Sequence, residues 1–258
     1  MDSGVGGLTI ARALLQMLPQ ESFIYYGDTL HLPYGEKTEA ELILYARNIF
    51  EFFIIKGVKA IVVACGTTSS TALPALADQY SLPILGVIKA GARSSARISS
   101  NGKIGVIATK ATVNSKAFTK EIQMINKDLE VFEMACPPFV PLVEKGMLNS
   151  QEARDTVDCY LKPLLEKGID TLVLGCTHYP FLLPLINNCV GDKVTVVDIA
   201  YETIEELKQI LATGDLLNDG QEPPVREFYV SGCSDSFSQV GRLLLGDEIK
   251  RIEKIELD

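Results

Sequence analysis

The chain has 258 residues, 47% of them hydrophobic and 22% charged, with 24 Lys+Arg against 33 Asp+Glu and a formal net charge of −9. This composition builds a core without disulfide staples, in one large domain or two small ones. It lacks the basic cluster a nucleic-acid surface needs and any apolar run near the roughly 18 residues of a membrane span. The first residues, Met1 to Gly4, have neither the basic nor the apolar section of a signal peptide, so the cytoplasm is the expected address. Six cysteines with no CxxC pair, beside only two histidines, are poor material for a metal site and read as free thiols.

From the start of the chain, Asp2-Ser3-Gly4-Val5-Gly6-Gly7 reads as a strand-to-helix loop whose glycines let backbone N–H groups approach a ligand. No strand precedes it, and the expectation is that a first strand is missing and the natural protein is longer. Helices are expected over 8–18, stopped by Pro19, and over 39–56, opened by a Thr38/Glu41 capping box and closed by Gly57. Nearly continuous apolar runs at 23–26, 60–64, 84–87, 104–108, 171–174, 194–197 and 228–230 predict buried parallel strands. Strands alternating with amphipathic stretches mark an α/β fold.

Residues 56–65 and 167–176 form an internal repeat. Lys56, Gly57, Val62 and Cys65 recur as Lys167, Gly168, Val173 and Cys176, and four further pairs are conservative. Each copy ends a helix at Gly, runs a buried strand and places a Cys at its carboxyl end, where open α/β sheets bind ligands. Helix N-termini are expected after both cysteines, beside Gly66-Thr67-Thr68 and Thr177-His178. A helix N-terminus or a nearby cation lowers a thiol pKa from its usual ~8.5. A lone Cys at a strand end usually just packs, and so Cys136, Cys159, Cys189 and Cys233 are read. Two thiols in equivalent places can instead form a redox disulfide, contribute to a metal site, or work on opposite faces of one carbon acid. In the last case one thiolate removes a proton and the other, as thiol, returns one. His178 beside Cys176 is a candidate acid/base or orienting group.

Several segments carry a resemblance. Asp2-Ser3-Gly4-Val5-Gly6-Gly7-Leu8, Tyr26-Gly27-Asp28-Thr29 with Pro33-Tyr34-Gly35, Val62-Val63-Ala64-Cys65, Gly105-Val106-Ile107-Ala108-Thr109, Cys136-Pro137 with Glu144, and above all Gly175-Cys176-Thr177-His178-Tyr179-Pro180 resemble, in order, the glutamate racemases of the aspartate/glutamate racemase family. The resemblance implies two facing parallel-sheet α/β domains related by pseudo-symmetry, residues 1–90 with 203–258 carrying Cys65 and residues 91–202 carrying Cys176. It implies cofactor-independent interconversion of L- and D-glutamate for peptidoglycan, in a cytoplasmic homodimer that binds neither nucleic acid nor membrane. Cys65 and Cys176 would be the two bases, with Asp2, His178 and Glu144 assisting. Substrate contacts would fall on Asp2, Ser3, Tyr34, Gly35, Gly66, Thr67, Thr112, Thr177 and His178.

The chain departs from that pattern at Gly66, where the family has Asn, at Lys89-Ala90 for Glu-Pro, at Ile199-Ala200 for Ser-Gly and at His31 for Arg. Losing one preorganised donor costs roughly 10²–10³ in rate, against the gain of at least about 10⁶ typical of enzymes, so Gly66 predicts a slowed catalyst. Two other readings stand beside it: a racemase of aspartate or another small amino acid, with Gly66 enlarging the pocket, and a non-catalytic binding or regulatory member. A missing first strand predicts unpaired neighbouring ladders and a poorly anchored Asp2.

Overall fold

The computed structural model describes residues 1–220, 223–233 and 235–257, so residues 221, 222, 234 and 258 of the stretch expected at 203–258 lie outside the described residues. Nine short strands among them form parallel sheets: β1 (Phe23–Gly27), β2 (Ile61–Val63), β3 (Ile84–Gly86), β4 (Lys103–Ala108), β5 (Glu130–Ala135), β6 (Thr171–Leu174), β7 (Thr195–Asp198), β8 (Arg226–Val230) and β9 (Ile252–Lys254). One sheet has the order β5-β4-β6-β7. The other is divided into β1-β8-β9 and β2-β3. All seven expected strands are present, because buried parallel strands leave uninterrupted apolar runs. The two additional strands, β5 and β9, lie at sheet edges. Their glutamates and lysine face solvent or sit half-buried, which breaks the apolar run that marks the others.

The expected helices form as Leu8–Met17 and Glu39–Ile55. The second opens on the anticipated capping box: Glu41 N–H donates to Thr38 Oγ1 at 3.3 Å, and Thr38 N–H donates to Glu41 Oε2 at 2.8 Å. No helix among the described residues is long and apolar enough to cross a membrane. Helices Val87–Ile98 and Ile199–Thr213 lie between the sheets and share one core cluster with β4 and β6, in which Phe118, Val173 and Ile204 are fully buried.

The start of the chain is better anchored than expected. Met1 and Asp2 stand between β1 and β2 and pair with both. The Met1 amino group donates to the Val62 carbonyl at 2.7 Å, and the Met1 carbonyl accepts from Ala64 N–H at 2.9 Å. Asp2 N–H donates to the Tyr26 carbonyl at 3.0 Å, and the Asp2 carbonyl accepts from Asp28 N–H at 3.0 Å. The ladders are interrupted as expected, but Asp2 is firmly anchored, because two residues suffice to bridge the carboxyl ends of β1 and β2.

The repeat is visible in the backbone. Gly57 and Gly168 both have φ of +74°, and each ends a helix in the left-handed conformation ahead of its strand. Neither would bring a Cβ within 4 Å of another atom, so the demand for glycine is purely conformational. Gly57→Ala and Gly168→Ala are therefore each expected to destabilise the fold by about 1 kcal/mol. Urea unfolding should show equal costs at the two positions.

Candidate active site

The carboxyl ends of β2 and β6 deliver Cys65 and Cys176 to one cavity of about 340 Å³, in the range of small-molecule sites. Ser3, Tyr34, Gly35, Gly66, Thr67, Thr177 and His178 line it with the two thiols. Asp2, Glu144 and Thr112 do not reach its surface. The first two stand behind residues that do, and Thr112 is buried in a hydroxyl chain in which Thr109 Oγ1 lies 2.8 Å from Thr67 Oγ1 and 3.0 Å from Thr112 Oγ1. That chain ties the Cys65 side of the cleft to the carboxyl end of β4.

The glycine loop 2–7 lets the first sheet press against the second. A Cβ at Gly6 would collide with Thr177 Oγ1 and His178 Nδ1, so only glycine fits. Thr177 Oγ1 then donates to Asp2 Oδ1 at 3.1 Å, and Gly4 N–H donates to Asp2 Oδ2 at 3.0 Å. The Tyr25 hydroxyl secures the same loop by donating to the Gly4 carbonyl at 2.7 Å. Tyr34 is fixed from behind, its hydroxyl donating to Asp28 Oδ2 at 2.5 Å, while His31 Nδ1 and the Ser231 hydroxyl hold the same carboxylate.

Gly66 does not enlarge the pocket. It packs on the backbone just before Cys176, and a Cβ there would collide with the Gly175 carbonyl oxygen. The lost side chain is repaid in proximity: the two strand ends meet backbone to backbone.

The surroundings of the two thiols differ. Helix Gly66–Thr71 begins directly after Cys65, whereas Cys176 is followed by a turn and the 3₁₀ segment Tyr179–Leu182, so the helix N-terminus expected there is absent. Burial, followed by the charge of Asp2, raises the Cys65 thiol pKa. Thr68 opposes them through its N–H and hydroxyl.

Beside Cys176 stands His178, with Nδ1 3.9 Å from the sulfur and Nε2 2.6 Å from Glu144 Oε1. Burial works against charging the imidazole, but its bonds to Cys176 and Glu144 prevail and hold its pKa well above the ordinary 6.5. One ring nitrogen of His178 therefore faces Cys176 while Glu144 holds the other.

Sequence reasoning missed Cys136, Thr109 and Lys110 as cavity residues. Cys136 follows β5, whose charged edge sequence hid the strand that carries it there. The thiol is fully buried, 3.7 Å from the Met134 carbonyl, and burial raises its pKa strongly. Thr109 and Lys110 follow β4 directly, whereas Gly66 and Thr67 follow β2 after Ala64 and Cys65. The position at a strand's carboxyl end was the signal that could have found them.

A family profile described as Asp/Glu/Hydantoin racemase matches residues 9–207. The chain belongs to this racemase family. It is 44% identical over 260 residues to a glutamate racemase of Thermoanaerobacter sp. (strain X514), covering 100% of this chain and 96% of that one. Among solved structures, the glutamate racemase isoform RacE1 of Bacillus anthracis superposes with a TM-score of 0.93 at 37% identity, covering 100% of this chain and 95% of that one. The glutamate racemase of Francisella tularensis subsp. tularensis SCHU S4, solved in complex with D-glutamate, gives a TM-score of 0.93 at 34% identity, covering 100% and 96%. The fold is thus the two-domain α/β racemase fold that the sequence suggested.

Two consequences are testable. Gly66→Ala should cost about 1–3 kcal/mol by overpacking the contact with Gly175, read as a lowered urea midpoint. The raised His178 pKa stabilises the fold through the protonated imidazole. That contribution is complete below the unfolded-state value of about 6.5 and is lost as pH climbs through the folded-state value. Stability should therefore decline from pH 6.5 upward, and Glu144→Gln should flatten the decline in urea titrations between pH 6 and 9.

Proposed function

We propose that this protein racemises glutamate with its own two thiols. The observation that carries the reading is the meeting of Cys65 and Cys176, from repeat-equivalent strand ends, on the wall of one small cavity. A turnover begins with one thiolate and one thiol. The thiolate takes the proton from the substrate Cα, breaking the C–H bond and leaving a carbanion; the opposite thiol then gives its proton to the other face. The two sulfurs end with exchanged protonation states, which suits a reaction whose substrate and product are mirror images. No cofactor enters this proton balance.

The surroundings of the two thiols differ in ways that bear on their roles. His178 sets a positive charge and an N–H donor beside Cys176, whereas Asp2 and burial favour the neutral thiol at Cys65. In this reading one thiol is the base for one enantiomer and the other thiol is the base for its mirror image. Ser3, Thr67 and Thr177 supply hydroxyls for the substrate's carboxylates, with Tyr34 and the backbone at Gly35 and Gly66 shaping their seat. Preorganised donors of this kind stabilise the charge that develops as the proton leaves. Asp2 and Glu144 act through Thr177 and His178.

In this reading residues 1–90 with 203–258 form the domain that presents Cys65, and residues 91–202 the domain that presents Cys176. The chain works as a cytoplasmic homodimer and supplies D-glutamate for peptidoglycan. Its relatives, glutamate racemases at 34–44% identity, support the choice of substrate.

Solvent deuterium should enter Cα of both L- and D-glutamate, followed by proton NMR. Cys65→Ser or Cys176→Ser should lower interconversion by about 10⁴-fold or more, the upper range for a positioned acid or base. A folded protein that exchanges no Cα proton would overturn the reading.

A further inference from the structure

The catalytic cavity carries a charged group that the proton exchange does not use. Besides His178, whose ring is held by Glu144, Lys110 is the only basic side chain among the described residues on its wall. The only acidic side chain there is Glu36. Glutamate has two carboxylates and one ammonium, so it brings net negative charge to a chain that already carries a formal −9. The hydroxyls of the cleft can orient a carboxylate, but being neutral they do not offset its charge.

Lys110 is placed by β4. It opens the helix Lys110–Ser115 directly after Thr109, at the strand's carboxyl end. β4 is bonded to β6, the strand that delivers Cys176. Adjacent strands stand about 4.8 Å apart. Lys110 therefore follows the strand next to that of Cys176, and the two-methylene side chain of glutamate spans such a step. From the opposite wall Gly35 packs on Thr109, where a Cβ at Gly35 would lie 3.1 Å from Thr109 Cβ. The next residue on each side of this contact, Glu36 and Lys110, is exposed at the mouth of the cavity. Neither side chain has a hydrogen-bond or ion-pair partner among the described residues.

We propose that Lys110 is the specificity-determining residue for the substrate's side-chain carboxylate, taking it at the mouth of the cleft while the thiols act on Cα. This rests on the glutamate reading above and names the group that separates glutamate from amino acids with neutral side chains. Leu32, Pro33, Val140 and Pro141 line the same cavity. Apolar neighbours reduce the solvent screening that leaves ordinary surface ion pairs weak.

Glu36 acts on the same carboxylate with the opposite sign. Its like charge across the mouth repels the carboxylate and so favours the Lys110 side. A lysine, with a compact charge on a flexible four-carbon stem, fits a partner that arrives and leaves in every turnover. It also serves both enantiomers, whose side chains leave Cα in different directions, because the ammonium can follow either one.

The test measures KM and kcat for L- and D-glutamate, and the calorimetric Kd for D-glutamate, in the parent, Lys110→Met, Lys110→Arg and Glu36→Gln. Both positions are exposed, so all three variants should melt with the parent. Lys110→Met should raise KM and Kd about fivefold or more, with a smaller change in kcat. It should also flatten the rise of KM with added salt, since the screened charge is gone. Lys110→Arg keeps the charge and should stay within about twofold of the parent, and Glu36→Gln should lower KM. An unchanged KM in Lys110→Met, a loss confined to kcat, a parental salt dependence, or a Lys110→Arg as weak as Lys110→Met overturns the proposal. A parent that exchanges no Cα proton defeats the catalytic reading, and the calorimetric Kd then decides Lys110 separately. Weaker binding by Lys110→Met supports the assignment; equal binding, or none by either chain, overturns it.

Discussion

The carboxylate of Asp2 is completely buried, and donors from both sides of the cleft hold it: Gly4 N–H from its own loop and the Thr177 hydroxyl from the loop after β6. A buried carboxylate is tolerated only where such bonds replace water. The backbone of the same residue is locked against β1, and its neighbour Met1 against β2. One residue therefore joins the divided sheet, the glycine loop and the Cys176 loop. The close approach of Gly6 to Thr177 and of Gly66 to Gly175 completes that junction, and the position of each thiol relative to the other depends on it.

A symmetric scaffold here carries an unsymmetric electrostatic arrangement. The repeat gives both cysteines the same helix end, the same glycine with φ of +74° and the same kind of strand. The groups around the sulfurs come from outside the repeat. Asp2 and Thr68 bear on Cys65, while His178 and Glu144 bear on Cys176. Placement is shared by the two halves, and the groups around each sulfur are not.

The legible parts of the fold were those with a local physical cause. Val and Ile runs marked the seven buried strands, the Thr38/Glu41 pair marked a helix start, and the recurring Lys-Gly and Cys marked both halves of the site. β5 and β9 were hidden because an edge strand needs no unbroken apolar run, and Cys136 was hidden with β5. The helix expected after Cys176 failed because Pro180 and Pro184 break up the stretch from Tyr179 to Val190 into a 3₁₀ turn and a later helix.

By itself, the sequence determined the α/β class, the paired thiols and half of the residues that line the cleft, since strand patterning and strand-end position are properties of short segments. Tertiary structure decided what those segments do to one another. It showed that Gly66 packs on the backbone before Cys176, that Asp2 and Glu144 hold Thr177 and His178, and that Met1 and Asp2 bond to β2 and β1. Each of these rests on contacts between residues tens to hundreds of positions apart, such as Asp2 with Thr177 or Gly66 with Gly175, and no local pattern encodes such a distance.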